Sequence, residues 1–133
     1  MAAFMAQTPA EEFPRRTTSV RSALRTHLQS VIDNFATPRG RQVTLTMASA
    51  DPESELAKAF RNQVILKSRE AGRRLVERSL ASKQLRGDVD VDAVLDMLYG
   101  PVFFRLLVGH LPLSTKLAGQ LVETLLNGVG LRR

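Results

Sequence analysis

The chain has 133 residues and no cysteine, with 19 Lys and Arg against 13 Asp and Glu, a formal charge of +6. That length buries one hydrophobic core without staples, and the missing thiols exclude disulfides, thiolate metal sites and cysteine nucleophiles, as suits a reducing cytoplasm. The positive balance raises nucleic acid as a partner. However, the arginines are scattered from Arg15 to Arg133 with no aromatic residues interleaved as stacking platforms, so a solvated surface is expected instead.

Residues 1–7 lack the basic start of a signal peptide, and their apolar run breaks at Gln7. They read as the tail of a connecting helix, followed by a proline-bearing linker from Thr8 to Thr18, which leaves 19–133 as the domain proper. From there only helix-period patterns occur in quantity, and no run alternates strictly as a strand would. The expected class is all-α with five main helices. Ser19 caps the first, running to about Phe35, with Val20, Leu24, Leu28, Val31, Ile32 and Phe35 on one face. Thr37-Pro38 starts a second, about Arg39 to Ala50, in which Val43, Leu45, Met47 and Ala48 are available for burial.

A third helix is expected from Pro52 to about Ser82, its stripe formed by Leu56, Phe60, Val64, Ala71, Leu75 and Ser79. On its other faces the like-charge pairs Arg69/Arg73 and Arg74/Arg78 are relieved by Glu70 and Glu77, which predicts a wet face. Leu85 to Asp90 forms a turn in which Gly87 can take positive φ, and Asp90 caps the fourth helix. That helix starts amphipathic and becomes apolar on every side: from Met97 to Val108 only Arg105 is charged. It must therefore be covered on both sides, by its own core and by a partner. A membrane span, which takes about 20 apolar residues, is excluded by the length of the run.

Pro101 predicts a kink near Met97 to Gly100, and Arg105 is expected to find a carboxylate or reach the edge of the domain. Ser114 caps a fifth helix with an apolar band of Leu117, Ala118, Leu121, Val122, Leu125 and Leu126, closed by Asn127-Gly128. Two wide-banded helices at one end predict a homodimer.

Four segments carry a resemblance: Thr37-Pro38-Arg39-Gly40-Arg41; Asp51-Pro52-Glu53 with Leu56 and Phe60; Leu85-Arg86-Gly87-Asp88-Val89-Asp90; and, most specifically, Leu98-Tyr99-Gly100-Pro101-Val102-Phe103-Phe104-Arg105-Leu106-Leu107 followed by Pro112-Leu113. In this order, over about Ser19 to Gly128, they resemble the carboxy-terminal regulatory domain of TetR/AcrR-type transcriptional regulators. The resemblance implies a helical domain that dimerises through its last two helices and holds a small-molecule pocket among the others. It also implies a regulator, a repressor when joined to its DNA-binding unit. Such regulators carry an amino-terminal three-helix unit with a helix-turn-helix, and nothing before Ser19 has its length or pattern. Operator DNA is thus expected to be reached only through a unit outside this chain.

On that reading, the pocket lies between the first, third and fourth helices. Its expected lining is Phe35, Met47, Phe60, Val64, Met97, Phe103 and Phe104, apolar enough for a small hydrophobic or aromatic effector. The same spacing also describes plain core. Val102, Leu106, Leu107, Leu117, Leu121, Val122 and Leu125 are expected to form a four-helix dimer interface across a twofold axis. The alternative function is a stand-alone dimerisation module with no ligand. No enzyme is expected, because Ser49, Asp51 and Ser79 lack a histidine within motif distance. His27 and His110 have no second ligand at metal spacing and read as surface or cap residues, so neither metal nor cofactor is expected.

Overall fold

The computed structural model describes residues 19–131; the connecting helix and linker expected over 1–18 lie outside the described residues. Helix α1, Val20–Phe35, starts where the Ser19 hydroxyl accepts the Ser22 amide at 3.2 Å, satisfying a donor left free in the first turn. Helix α2, Pro38–Ser49, uses the same device: Thr37 accepts the Gly40 amide at 2.9 Å, and Pro38 gives up a donor that needs no partner there. Both starts agree with the sequence signals. Leu45, offered for burial, is instead exposed, and Val43 and Thr44 fill the inner face of α2.

The third rod begins at Ser54 rather than at Asp51-Pro52. Ser54 caps α3, Glu55–Phe60, by accepting the Ala57 amide, while Asp51 accepts the Glu53 amide in the preceding turn. The rod then passes through a π turn, Arg61–Ile65, in which the Leu66 amide reaches back to the Arg61 carbonyl, and continues as α4, Leu66–Ala81. A π turn takes up more residues than an α turn and resets the register of the inward stripe. Leu56, expected on that stripe, lies outside it at 47% exposure, and Ala57 takes the buried place.

After α4 the positive φ falls on Lys83 and not on Gly87. Helix α5, Val91–Val108, is capped by Asp90, whose carboxylate accepts the Asp92 amide at 3.0 Å. It continues past Pro101 and ends at Gly109 in the left-handed region. Among the described residues Arg105 finds no carboxylate; it donates to the Pro112 carbonyl at 3.0 Å and so pins the loop that follows the helix. Helix α6, Leu117–Asn127, starts after a turn in which the Ser114 carbonyl accepts the Leu117 amide, so Ser114 does not cap it by its side chain.

Helix α1 is the hub, packed against α2, α4, α5 and α6. Leu24 and Leu28 of α1 meet Val76 of α4, Leu95, Leu98 and Val102 of α5, and Leu117 and Val122 of α6 in one buried core. Each such side chain contributes about 1.5–3 kcal/mol of hydrophobic stabilisation. An Arg21–Glu123 ion pair joins α1 to α6, and the Gln84 side-chain carbonyl accepts the Val20 amide at 3.0 Å. Among the described residues, no helix is long and apolar enough to cross a membrane.

His27, expected at the surface, is instead buried, and its Nε2 is hydrogen-bonded to the Tyr99 hydroxyl at 2.5 Å. The reason lies on α4. A Cβ at Gly72 would collide with that hydroxyl and stand 3.1 Å from His27 Nε2 and 3.2 Å from a Leu95 methyl. Only glycine lets α4 close down on this pair. Gly72→Ala is therefore expected to lose up to about 2 kcal/mol in urea unfolding, an overpacking cost of about 1–3 kcal/mol less about 1 kcal/mol of helix propensity gained. Adding Tyr99→Phe, which removes the obstructing oxygen, should make the pair of changes less than additive. Full additivity would show that the two residues do not compete for space.

Candidate functional site

A cavity of about 350 Å³ lies between α1, the π turn, α4 and α5. Val31 and Phe35 come from α1, Val64 and Ile65 from the π turn, Ser68 and Arg69 from α4, and Asp96, Tyr99, Gly100 and Phe103 from α5. On α5, Asp96, Tyr99 and Phe103 recur at the three- and four-residue spacing of a single face. The floor is aromatic: Phe35 stands edge-to-face with Phe103 at 5.0 Å, and with Phe60 at 6.5 Å.

The polar edge is built by Arg69. Its guanidinium donates to the Asp96 carboxylate at 2.8 Å, and to the Asp92 carboxylate and carbonyl at 3.0 and 3.3 Å. The wet arginine face expected from sequence holds for Arg73, which is paired with Glu70 and Glu77, but Arg69 leaves that face and bridges α4 to α5. Partial burial lowers the Arg69 pKa, but hydrogen bonds and charge from Asp92 and Asp96 outweigh it and raise the value above the ordinary arginine range.

Of the residues expected to line a pocket, Phe35, Val64 and Phe103 do so. Phe60 is buried in the core beside Phe35, and Met47 is half-buried against the core from α2. Met97 and Phe104 point away, 61% and 57% exposed, with the Phe104 ring against that of His110. A helix apolar on all sides offers no polar face to fix its rotation, which is why helical spacing alone misplaced them. Tyr99, Arg69 and Asp96 were missed. The available signal was the polar-to-aromatic series Asp92, Asp96, Tyr99, Phe103 down one side of α5.

The residues expected at an interface divide in a similar way. Val102, Leu106, Leu117 and Val122 are enclosed within the one chain, because the inner sides of α5 and α6 close on α1, so they cannot face a partner. Leu107 is exposed, and Leu121 and Leu125 are half-buried. Leu107 is joined by Met97, Phe104, Val108 and Leu111 in an outward apolar strip along α5 and just beyond it, the kind of surface that marks an interaction site. A second cleft, about 880 Å³, opens between the start of α1, the turn after α4, the first turns of α5, where Met97 lines it, and the end of α6; Arg21, Gln84, Arg86, Asp88 and Asp90 make its lining far more polar.

With the fold and this geometry in view, residues 14–125 match the family described as Tetracyclin repressor-like, C-terminal domain. The chain belongs to the TetR family of transcription regulators, as a C-terminal domain of that family. It is similar to the uncharacterized HTH-type transcriptional regulator YdeS of Bacillus subtilis (strain 168), with 23% identity over 104 residues, which cover 78% of this chain and 52% of that protein. It thus spans about half the length of the curated relative it matches. The crystal structure of the TetR family transcription regulator SCO0332 superposes with a TM-score of 0.79 at 31% identity, covering 95% of this chain and 68% of that one.

The two neighbouring phenylalanines make a direct check on this geometry. In denaturant unfolding at low protein concentration, Phe103→Ala is expected to cost about 3 kcal/mol through the lost packing with Phe35. Phe104→Ala should change the same quantity by less than about 0.5 kcal/mol. Equal losses would contradict the orientation of α5.

Proposed function

We propose that the chain is the effector-binding and dimerisation domain of a cytoplasmic TetR-type repressor, which reaches operator DNA through a DNA-binding unit joined to its amino-terminal side. The observation that carries this reading is the double use of α5. One face walls an apolar cavity with a few convergent polar groups, the usual form of a small-molecule site, and another is an uncovered apolar strip. A bare dimerisation module needs the strip but not the cavity. The effector would be a small hydrophobic or aromatic compound seated among Val31, Phe35, Val64, Tyr99 and Phe103. The dimer would form by packing Phe104, Leu107, Val108, Leu121 and Leu125 against a second copy across a twofold axis.

Two measurements test these parts separately. In a thermal-shift screen against small aromatic compounds, the chain should gain about 2.7 kcal/mol at a hundredfold excess of ligand over Kd. Val64→Trp, which fills the cavity, should lose the gain; no shift with any compound would favour the ligand-free module. For the interface, Leu107→Arg should convert a dimer to a monomer by light scattering while circular dichroism stays helical, because an unpaired charge cannot be buried there. A persisting dimer would place the interface elsewhere.

A further inference from the structure

The polar edge of the cavity is unbalanced in charge. One guanidinium, that of Arg69, serves two carboxylates, Asp92 and Asp96, and the remaining polar lining, Ser68 and Tyr99, is neutral. Glu70, next to Arg69 in sequence, is taken up by Arg73 and Arg74. Asp96 is also 73% exposed at its side chain, so its carboxylate has room for a second partner beside Arg69. The apolar part of the lining includes three aromatic side chains, Phe35, Tyr99 and Phe103.

We infer that the cavity selects a lipophilic organic cation: an apolar or aromatic body bearing a protonated amine or quaternary ammonium that sits beside Asp96. This inference rests on the effector reading above. An anionic head at Arg69 would share its guanidinium with Asp92 and Asp96 and stand beside both carboxylates at short range. A neutral body fills the apolar floor but leaves the excess carboxylate charge to water and salt alone. A cation neutralises that excess and meets ring systems whose electron-rich faces attract it. The positive charge of the whole chain acts from further away and is screened within about 8–10 Å at moderate salt.

The test uses three probes with one apolar body and different heads, phenylbutylamine, phenylbutanol and phenylbutyrate, titrated calorimetrically into the chain. The amine is expected to bind about three- to tenfold more tightly than the alcohol, with the carboxylate weakest. The amine's advantage should shrink as salt is raised, whereas the alcohol's affinity should hold. Asp96→Asn should reduce the amine to the level of the alcohol, and Asp92→Asn, one turn away and outside the lining, should reduce it less. The salt series needs no variant and stands if Asp96→Asn fails to fold. Equal affinity for amine and alcohol, or tighter binding of the carboxylate, overturns the cation assignment and leaves the effector cavity standing. Binding of none of the three, or binding undiminished in Val64→Trp, overturns the effector reading and the inference with it.

Discussion

Helix α5 carries apolar side chains around its whole circumference, so no single neighbour can cover it. The rest of the structure distributes that surface. Leu95, Leu98, Val102 and Leu106 go inward against α1, Tyr99 and Phe103 turn to the cavity flank, and Met97, Phe104, Leu107 and Val108 are left outside. The inner set holds the fold, with nothing to spare for a partner. The outer set is what one copy cannot bury, and burying it elsewhere is favourable at about 25 cal/mol per Å² of apolar surface removed from water. Core, cavity and exposed apolar strip are thus three sectors of one helix, and their relative placement is fixed by its rotation.

That rotation is held by two polar devices, one joining α5 to α1 and the other joining it to α4. Burying an imidazole and a phenol costs free energy unless each finds a hydrogen bond, and His27 and Tyr99 supply one to each other across α1 and α5. Gly72 admits α4 to this junction, and Arg69 then fastens α4 to Asp92 and Asp96 one helical turn apart on α5. Among the described residues, no buried side-chain nitrogen or oxygen lacks a partner. Tyr99 therefore has two duties: it locks three helices together and also forms part of the cavity wall.

How much of this was legible depends on whether the signal was local. Ser19, Thr37 and Asp90 act as caps within three residues of themselves, and the all-α class with five helical rods followed from periodicity alone. The π turn was not legible, since nothing in Arg61 to Ile65 marks a change of register that only the packing of the rod demands. The approach of Gly72 to Tyr99 and His27 depends on which helices cross, and a single sequence does not encode that in any short pattern. The same holds for Met97 and Phe104, and for Val102, Leu106, Leu117 and Val122: spacing identified apolar positions, but it could not say whether they faced their own core, a pocket or a partner. Arg69 was read with its own helix, where Glu70 offered a nearby partner, while the carboxylates that claim it lie on α5.

The same division of α5 bears on how occupancy of the cavity could be felt at the outer strip. A ligand shifts an equilibrium only by as much as its affinity differs between the two arrangements, so it must touch something that moves. Asp96 and Tyr99 face the cavity, Met97 and Phe104 face outward, and Gly100 borders the cavity while its Cβ position stands open, with no atom within 4 Å. The helix runs unbroken from Val91 to Val108 although Pro101 lacks one ladder amide, so a rotation on one side reaches the other without a longer path. Of the contacts that could change, the Arg69 bridge alone is too weak, because pairs with aspartates this exposed are worth about 0–1 kcal/mol. A coupling of a hundredfold needs about 2.7 kcal/mol. The larger share must come from packing, and the side chains able to supply it are those where α1 meets α5, Phe35 against Phe103. In the proposed role, a guest that parts these two rings would rotate α5 about its fixed inner face, and the electrostatic edge would choose which guests enter.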